Sequence, residues 1–139
     1  MPHREKGLSK SRRRRRRARR GGDAPFRLRG RFWIDGPEGT FLGYGRVVLM
    51  ERIREQGSIT RAAKSMGMSY RHAWELIDSM NRQAPRPFVL TAAGGRGGGG
   101  TVVTEAGLEA IGLFRRLEAM FSEHLATGQD VLRFEKEES

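Results

Sequence analysis

The residues of this chain with the most to offer chemically are polar and cationic. Ser69, Arg71, His72 and Glu75 fall within about two turns of a helix that the spacing predicts from Tyr70 to about Gln83. At 100° per residue they lie, with Asp78, Ser79 and Arg82, opposite an apolar side of Tyr70, Ala73, Trp74, Ile77 and Met80. Trp74 is therefore read as core rather than as a base contact. Arg71 can form paired hydrogen bonds with guanine O6 and N7, or bind a phosphate. Ser69 and His72 can donate to phosphate, and Glu75 can accept from cytosine N4. Such a turn is what a helix entering the major groove N-terminus first exposes. A merely solvated helix face is the alternative. On the helix before it, Thr60, Arg61 and Lys64 are placed to clamp backbone phosphates.

Other chemistries find fewer residues. Gly95, Gly97 and Gly100 match G-x-G-x-x-G, but a dinucleotide fingerprint opens a helix, and Thr101-Val102-Val103-Thr104 favours a strand. Arg96 at that loop's tip reads instead as a contact to phosphate or minor groove, with a solvated charge as the alternative. His3, His72 and His124 are far apart, and the chain has no cysteine to complete a metal set. No metal and no cofactor are expected. No Ser-His-Asp set or carboxylate pair can be assigned from spacing, so no enzyme is expected.

The elements that must hold these residues follow from punctuation and period. Leu28, Gly30, Phe32 and Ile34 alternate with Arg29, Arg31 and Trp33, the pattern of a half-buried strand, and Asp35 to Gly39 reads as a turn. A helix from Gly45 carries Arg46, Leu49, Met50 and Ile53 on one face and stops at Gly57. Ser58 caps a second helix, Ile59 to Met66, ended by Gly67, and Ser69 caps the third, stopped by Pro85 and Pro87. Phe88 to Ala92 and Thr101 to Thr104 form a hairpin around the glycine loop. Thr104 then caps a helix from Glu105 to about Ala126, roughly 33 Å long. Its apolar residues Ile111, Leu113, Phe114, Leu117, Met120, Phe121 and Leu125 exceed what a small domain needs, which predicts a second copy docked there. An entirely intramolecular stripe is the alternative.

Charge divides the chain. Residues 1–31 hold 14 Lys and Arg against two acids, and residues 32–139 hold 13 against 14. Arg12, Arg13, Arg14, Arg15, Arg16, Arg17, Arg19 and Arg20 repel one another and bury no apolar surface, so residues 1–24 read as a disordered basic arm that meets phosphates without regard to sequence. Solubilisation, or an anionic lipid or another polyanion, would also suit it. Residues 46–96 are basic and residues 97–139 acidic. The longest apolar run, Val47 to Met50, is far short of the roughly 20 residues of a membrane span, and no export signal follows the arginines. Zero cysteines exclude disulfides and fit a cytoplasmic setting.

The run Gly57-Ser58-Ile59-Thr60-Arg61-Ala62-Ala63-Lys64-Ser65-Met66-Gly67-Met68-Ser69-Tyr70, with Ala73-Trp74, Met80-Asn81, Pro85-x-Pro87, the glycine loop and Val103-Thr104-Glu105-x-Gly107, resembles the N-terminal domain of ModE-type molybdate-responsive transcription regulators. The Gly-Ser-Ile-x-x-Ala-Ala core is shared with LysR-type regulators. The resemblance covers about residues 28–126. It implies a winged helix-turn-helix that dimerises through its last helix and binds palindromic operators, commonly at molybdate transport genes. It places Thr60, Arg61, Ser69, Tyr70, Arg71 and Arg96 toward DNA. Members of the family continue into paired molybdate-binding domains for which 139 residues leave no room, and the arginine arm has no counterpart in the family pattern.

The fold expected is mainly α with a small β wing. Residues 1–24 form the arm, 25–126 a winged helix-turn-helix domain with its dimerisation helix at 105–126, and 127–139 a frayed acidic tail. The function expected is sequence-specific regulation of transcription on double-stranded DNA, as a cytoplasmic, nucleoid-associated homodimer with no molybdate sensor of its own. A heteromer with a full-length regulator is a further option. The competing expectation is a basic architectural protein with little sequence preference, which the arm favours and the polar turn at Ser69 opposes.

Overall fold

The computed structural model describes residues 25–92 and 100–135. The arm and Arg96 lie outside the described residues. Two three- to four-residue strands, β1 (Ile34–Gly36) and β2 (Gly39–Leu42), precede the helices α1 (Tyr44–Gln56), α2 (Ile59–Ser65) and α3 (Tyr70–Gln83). The strands β3 (Val89–Thr91) and β4 (Thr101–Val103) and the 27-residue helix α4 (Glu105–Val131) follow. Among the described residues the chain is thus mainly helical, with two antiparallel two-stranded sheets, β1–β2 and β3–β4. No described helix is long and apolar enough to cross a membrane.

The predicted punctuation holds at the helix ends. Gly57 closes α1 at φ +63°, its N–H donating to Ile53 O at 2.7 Å, a left-handed cap for which glycine carries no steric cost. Ser58 Oγ accepts from Arg61 N at 3.2 Å and Ser69 Oγ from His72 N at 3.0 Å, so each serine satisfies an otherwise unpaired first-turn amide. Ala84 is extended, ψ 147°, as the residue before Pro85 must be, and α3 stops there. Thr104 Oγ1 accepts from Gly107 N at 3.1 Å and donates to Pro87 O at 2.6 Å, capping α4 and fastening it to the hairpin. At Gly107 the backbone passes so near Phe88 that a Cβ would stand 2.5 Å from its carbonyl oxygen.

The chain divides into two units, Arg31–Ser122 and a second made of Met1–Gly30 with Glu123–Ser139. The core of the first is built from Leu42, Val47, Leu49, Met50, Ile53, Ile77, Met80 and Phe114, each with under 2% of its surface exposed, and no described polar side chain is buried with them. Two cations anchor its helices. Arg46 reaches inward from α1 to Phe41 O and to Ser79 Oγ at 2.9 Å, and burial holds its guanidinium pKa below the ordinary value. Arg115 of α4 binds Glu51 of α1 and Glu118, and lies 5.6 Å from the Tyr44 ring centroid. Its hydrogen bonds to Glu51 first, and then to Glu118, raise its pKa.

In the second unit the side-chain amide of Gln129 imitates a strand partner. It accepts from Leu28 N at 2.7 Å and donates to Phe26 O at 2.9 Å. Phe26 meets Phe134 edge-on at 4.8 Å, and the Leu28 side chain lies against Gly128.

Three elements differ from the sequence reading. No strand begins at Leu28; the strand is Ile34–Gly36, and its partner β2 starts within what reads as a turn, with Phe41 bulged between Ile34↔Leu42 and Asp35↔Thr40. Phe32 is covered as its alternation implies, but by α4: it stacks on Phe114 at 4.8 Å and tilts against Phe121 at 5.4 Å. Helix α4 continues past Ala126 to Val131, where Thr127 Oγ1 returns a hydrogen bond to Glu123 O and Gln129 is held by the 26–28 backbone. The segment expected to fray at 127–131 is helical. Tyr70, placed on the apolar side of α3 by the helical wheel, is 52% exposed, because the first residue of a helix has no preceding turn to cover it.

Candidate nucleic-acid interface

The tight joint between α1 and α2 and the capped start of α3 set the exposed side chains. Burial of Ile59, Ala62 and Ala63 orients α2, leaving Thr60, Arg61 and Lys64 exposed. The small alanines let α2 approach α1 and α3 closely. Burial of Ala73, Ile77 and Met80 likewise orients α3, leaving Ser69, Tyr70, Arg71, His72 and Glu75 exposed. Of these predicted residues, Thr60 and Arg61 of α2 and Tyr70 of α3 line one open groove. Among the described residues Arg61 and Lys64 have no carboxylate partner.

The start of α3 is a small charge cluster. Glu75 pairs with Arg71 Nε at 3.5 Å through one oxygen and faces His72 Nδ1 at 3.6 Å through the other. The Arg71 side chain is 91% exposed. Tyr70 stands edge-on to Trp74 at 6.3 Å. Trp74 is half-buried, packing partly against the core and partly lining an open groove.

That groove is where the hairpin joins the helices. Its walls are Thr60 and Arg61 from α2, Tyr70 and Trp74 from α3, and Thr91 and Thr101 from the hairpin. The Thr101 N–H donates to Gly57 O at 3.3 Å, tying β4 to the cap of α1. Asn81 fixes the other strand: its Nδ2 donates to Val89 O at 2.9 Å, and its Oδ1 accepts from Phe88 N at 2.8 Å and Val89 N at 3.2 Å. Apart from Arg61 the lining is uncharged, and it is rich in hydroxyls. Chemically this suits a polyanionic strand bearing phosphate acceptors. Thr91 and Thr101 were not singled out from sequence. Their signal was available, since a period of two puts them on the face of Val89 and Val103, the buried one.

The residues expected to form a dimer face separate by exposure. Phe114 is 1% exposed and belongs to the core of the first unit, where Ile111 packs partly against it. Phe121 faces Phe32. Leu117 is half-buried, and Leu113 and Met120 are 45% and 65% exposed. Among the described residues no group of three His, Asp or Glu side chains is arranged to hold a metal.

A short helix pair with a glycine joint, a capped third helix and a hairpin tied back to the joint is an arrangement consistent with a helix-turn-helix carrying a wing. The chain is similar to several known proteins. The chain is 41% identical over 119 residues to the molybdenum transport protein ModE of Azotobacter vinelandii, a match covering 79% of this chain and 44% of that protein. It is 36% identical over 100 residues to the molybdenum-pterin-binding protein MopB of Rhodobacter capsulatus, covering 72% of this chain and 37% of the relative. It is 42% identical over 69 residues to the DNA-binding transcriptional dual regulator ModE of Escherichia coli strain K12, covering 50% and 26%. No protein-family model matches the sequence. The chain is ModE-related, and it spans less than half the length of these curated relatives.

Proposed function

We propose that this chain is a winged helix-turn-helix regulator of transcription that binds double-stranded DNA sequence-specifically. The observation that carries the reading is the polar first turn of α3, Ser69 to Glu75, exposed beside a hydroxyl-lined groove that ends at the hairpin. In this reading α3 enters the major groove, Arg71 reads guanine, and Thr60, Arg61 and Lys64 hold phosphates. Tyr70 and Trp74 face the strand beside the helix, and Arg96 reaches phosphate or minor groove from the hairpin tip. The E. coli relative's name, a DNA-binding transcriptional dual regulator, supports this assignment, and the molybdenum in the relatives' names supports a link to molybdenum supply.

Two copies would pair through α4, by the exposed Leu113 and Met120 and the half-buried Leu117, giving a two-fold reader for a palindrome. Residues 1–24 would add sequence-independent attraction through their arginines. The test is enrichment of duplexes from a randomised pool by the 139-residue chain. Convergence on a palindromic consensus is the expected result. Retention of the whole pool without convergence would favour the architectural reading, for which the excess of cations in residues 1–31 speaks.

A further inference from the structure

We propose that Glu75 acts as a filter against incorrect sequences, by pairing its carboxylate with Arg71 so that only the correct bases can part the two at no electrostatic loss. The inference rests on the reading that α3 enters the major groove. It concerns a property separate from affinity for the operator itself.

The geometry sets up the competition. Arg71 and Glu75 are one helical turn apart, and one carboxylate faces both Arg71 Nε at 3.5 Å and His72 Nδ1 at 3.6 Å. In free solution such an exposed pair is weak. Docking changes its environment, because the turn then sits between two rows of phosphates with much of its water displaced, where an uncompensated carboxylate is repelled. On the correct sequence Arg71 transfers to guanine, and Glu75 gains the amino group of a cytosine or adenine in its place. On other sequences an Arg71 that turns fully to a phosphate abandons Glu75. The carboxylate is then left facing phosphates with no donor. Thr60, Arg61 and Lys64 supply attraction that is indifferent to sequence, so a local charge that lowers affinity for wrong sequences raises the ratio between right and wrong ones.

The experiment compares wild type with Glu75→Gln on two probes: the duplex enriched by wild type from a random pool, and a duplex of randomised sequence, each titrated across salt. Glutamine keeps the shape and a hydrogen-bonding end, and removes the charge. Glu75→Gln is expected to bind the randomised duplex about five- to tenfold more tightly. Its salt slope there should steepen by about 0.9, the signature of one additional phosphate contact. Affinity for the enriched duplex, where Glu75 itself meets a base, should not rise with it, so that discrimination falls. In an Arg71→Ala background the substitution should no longer steepen the slope. Equal tightening on both probes would overturn the proposal by making Glu75 a general repellent. An unchanged ratio, or loss of binding to the enriched duplex alone, would overturn it by making Glu75 idle or a simple base contact. If wild type enriches no duplex at all, it is the regulator reading that fails, and the filter falls with it.

Discussion

Replacing Asn81 with alanine removes the piece that sets the hairpin against α3. The Asn81 side chain makes three hydrogen bonds to the main chain of Phe88 and Val89, at 2.8, 2.9 and 3.2 Å, all partly buried. Each is worth about 1 kcal/mol net, and two amide donors and one carbonyl lose their partner together, so the cost is about 2–3 kcal/mol. For a domain of this size each kcal/mol lowers the melting temperature by about 4–8 °C, which places the expected shift at about 10–20 °C. Asn81→Asp should fall between alanine and wild type, since a carboxylate keeps the acceptor for both amides and loses only the donor to Val89 O. Thermal unfolding followed by far-ultraviolet circular dichroism measures the series. A shift under about 3 °C for Asn81→Ala, or an aspartate variant less stable than the alanine one, would refute the claim that these bonds position β3.

Three further outcomes follow from the interface. Arg71→Ala should cost about 1–3 kcal/mol on an enriched duplex and far less on random DNA; fluorescence anisotropy on both probes checks it, and equal losses would remove Arg71 from base readout. Deleting residues 1–24 should weaken binding to all duplexes alike and, if the arm meets four phosphates, flatten the plot of log K against log salt by about 3–4; coincident slopes would mean that the arm does not engage DNA. Met120→Glu with Leu117→Glu should leave a folded monomer by sedimentation, because Met120 is 65% exposed and Leu117 only half-buried. A wild type that is itself monomeric at micromolar concentration would sink the dimer.

What could be read in advance was local. Gly57, Ser58, Gly67 and Ser69 announce the ends of α1, α2 and α3, because caps and left-handed turns constrain residue type within a few positions. Exposure of Thr60, Arg61, Lys64, Arg71, His72 and Glu75 followed from the helical period. The first hairpin escaped notice because β1 has three residues, too few to show a period, and because a bulge at Phe41 breaks the alternation in β2. Phe32 shows why alternation misleads: any segment lying along an apolar surface alternates, whether its partner is a strand or, as here, a helix. The reading of Trp74 as core holds in part, because its half-buried ring also lines the groove. The split of α4 residues between core and exposed face needed the tertiary position of Phe114, which no spacing reveals.

Helix α3 is fastened at its far end and left free at its start, and that asymmetry separates stability from recognition. Near its C-terminus, Gln83 accepts from Glu38 N and donates to Thr40 O and Ser79 Oγ, holding the β1–β2 hairpin, while Asn81 holds β3. At its N-terminus the cap is the Ser69 hydroxyl, and the ion pairs of Arg71, His72 and Glu75 are all internal to the turn. Substitutions of Arg71, His72 or Glu75 therefore disturb no ion pair between elements. Arg71→Ala and Glu75→Gln should each move the free energy of unfolding by no more than about 0.5 kcal/mol, the size of a lost exposed i,i+4 pair. Ser69→Ala should cost about 1 kcal/mol through the cap alone. Urea titration of the three variants decides the matter. If Arg71→Ala proved as destabilising as Ser69→Ala, its guanidinium would be holding the turn together, and its losses on DNA could not be ascribed to lost base contacts.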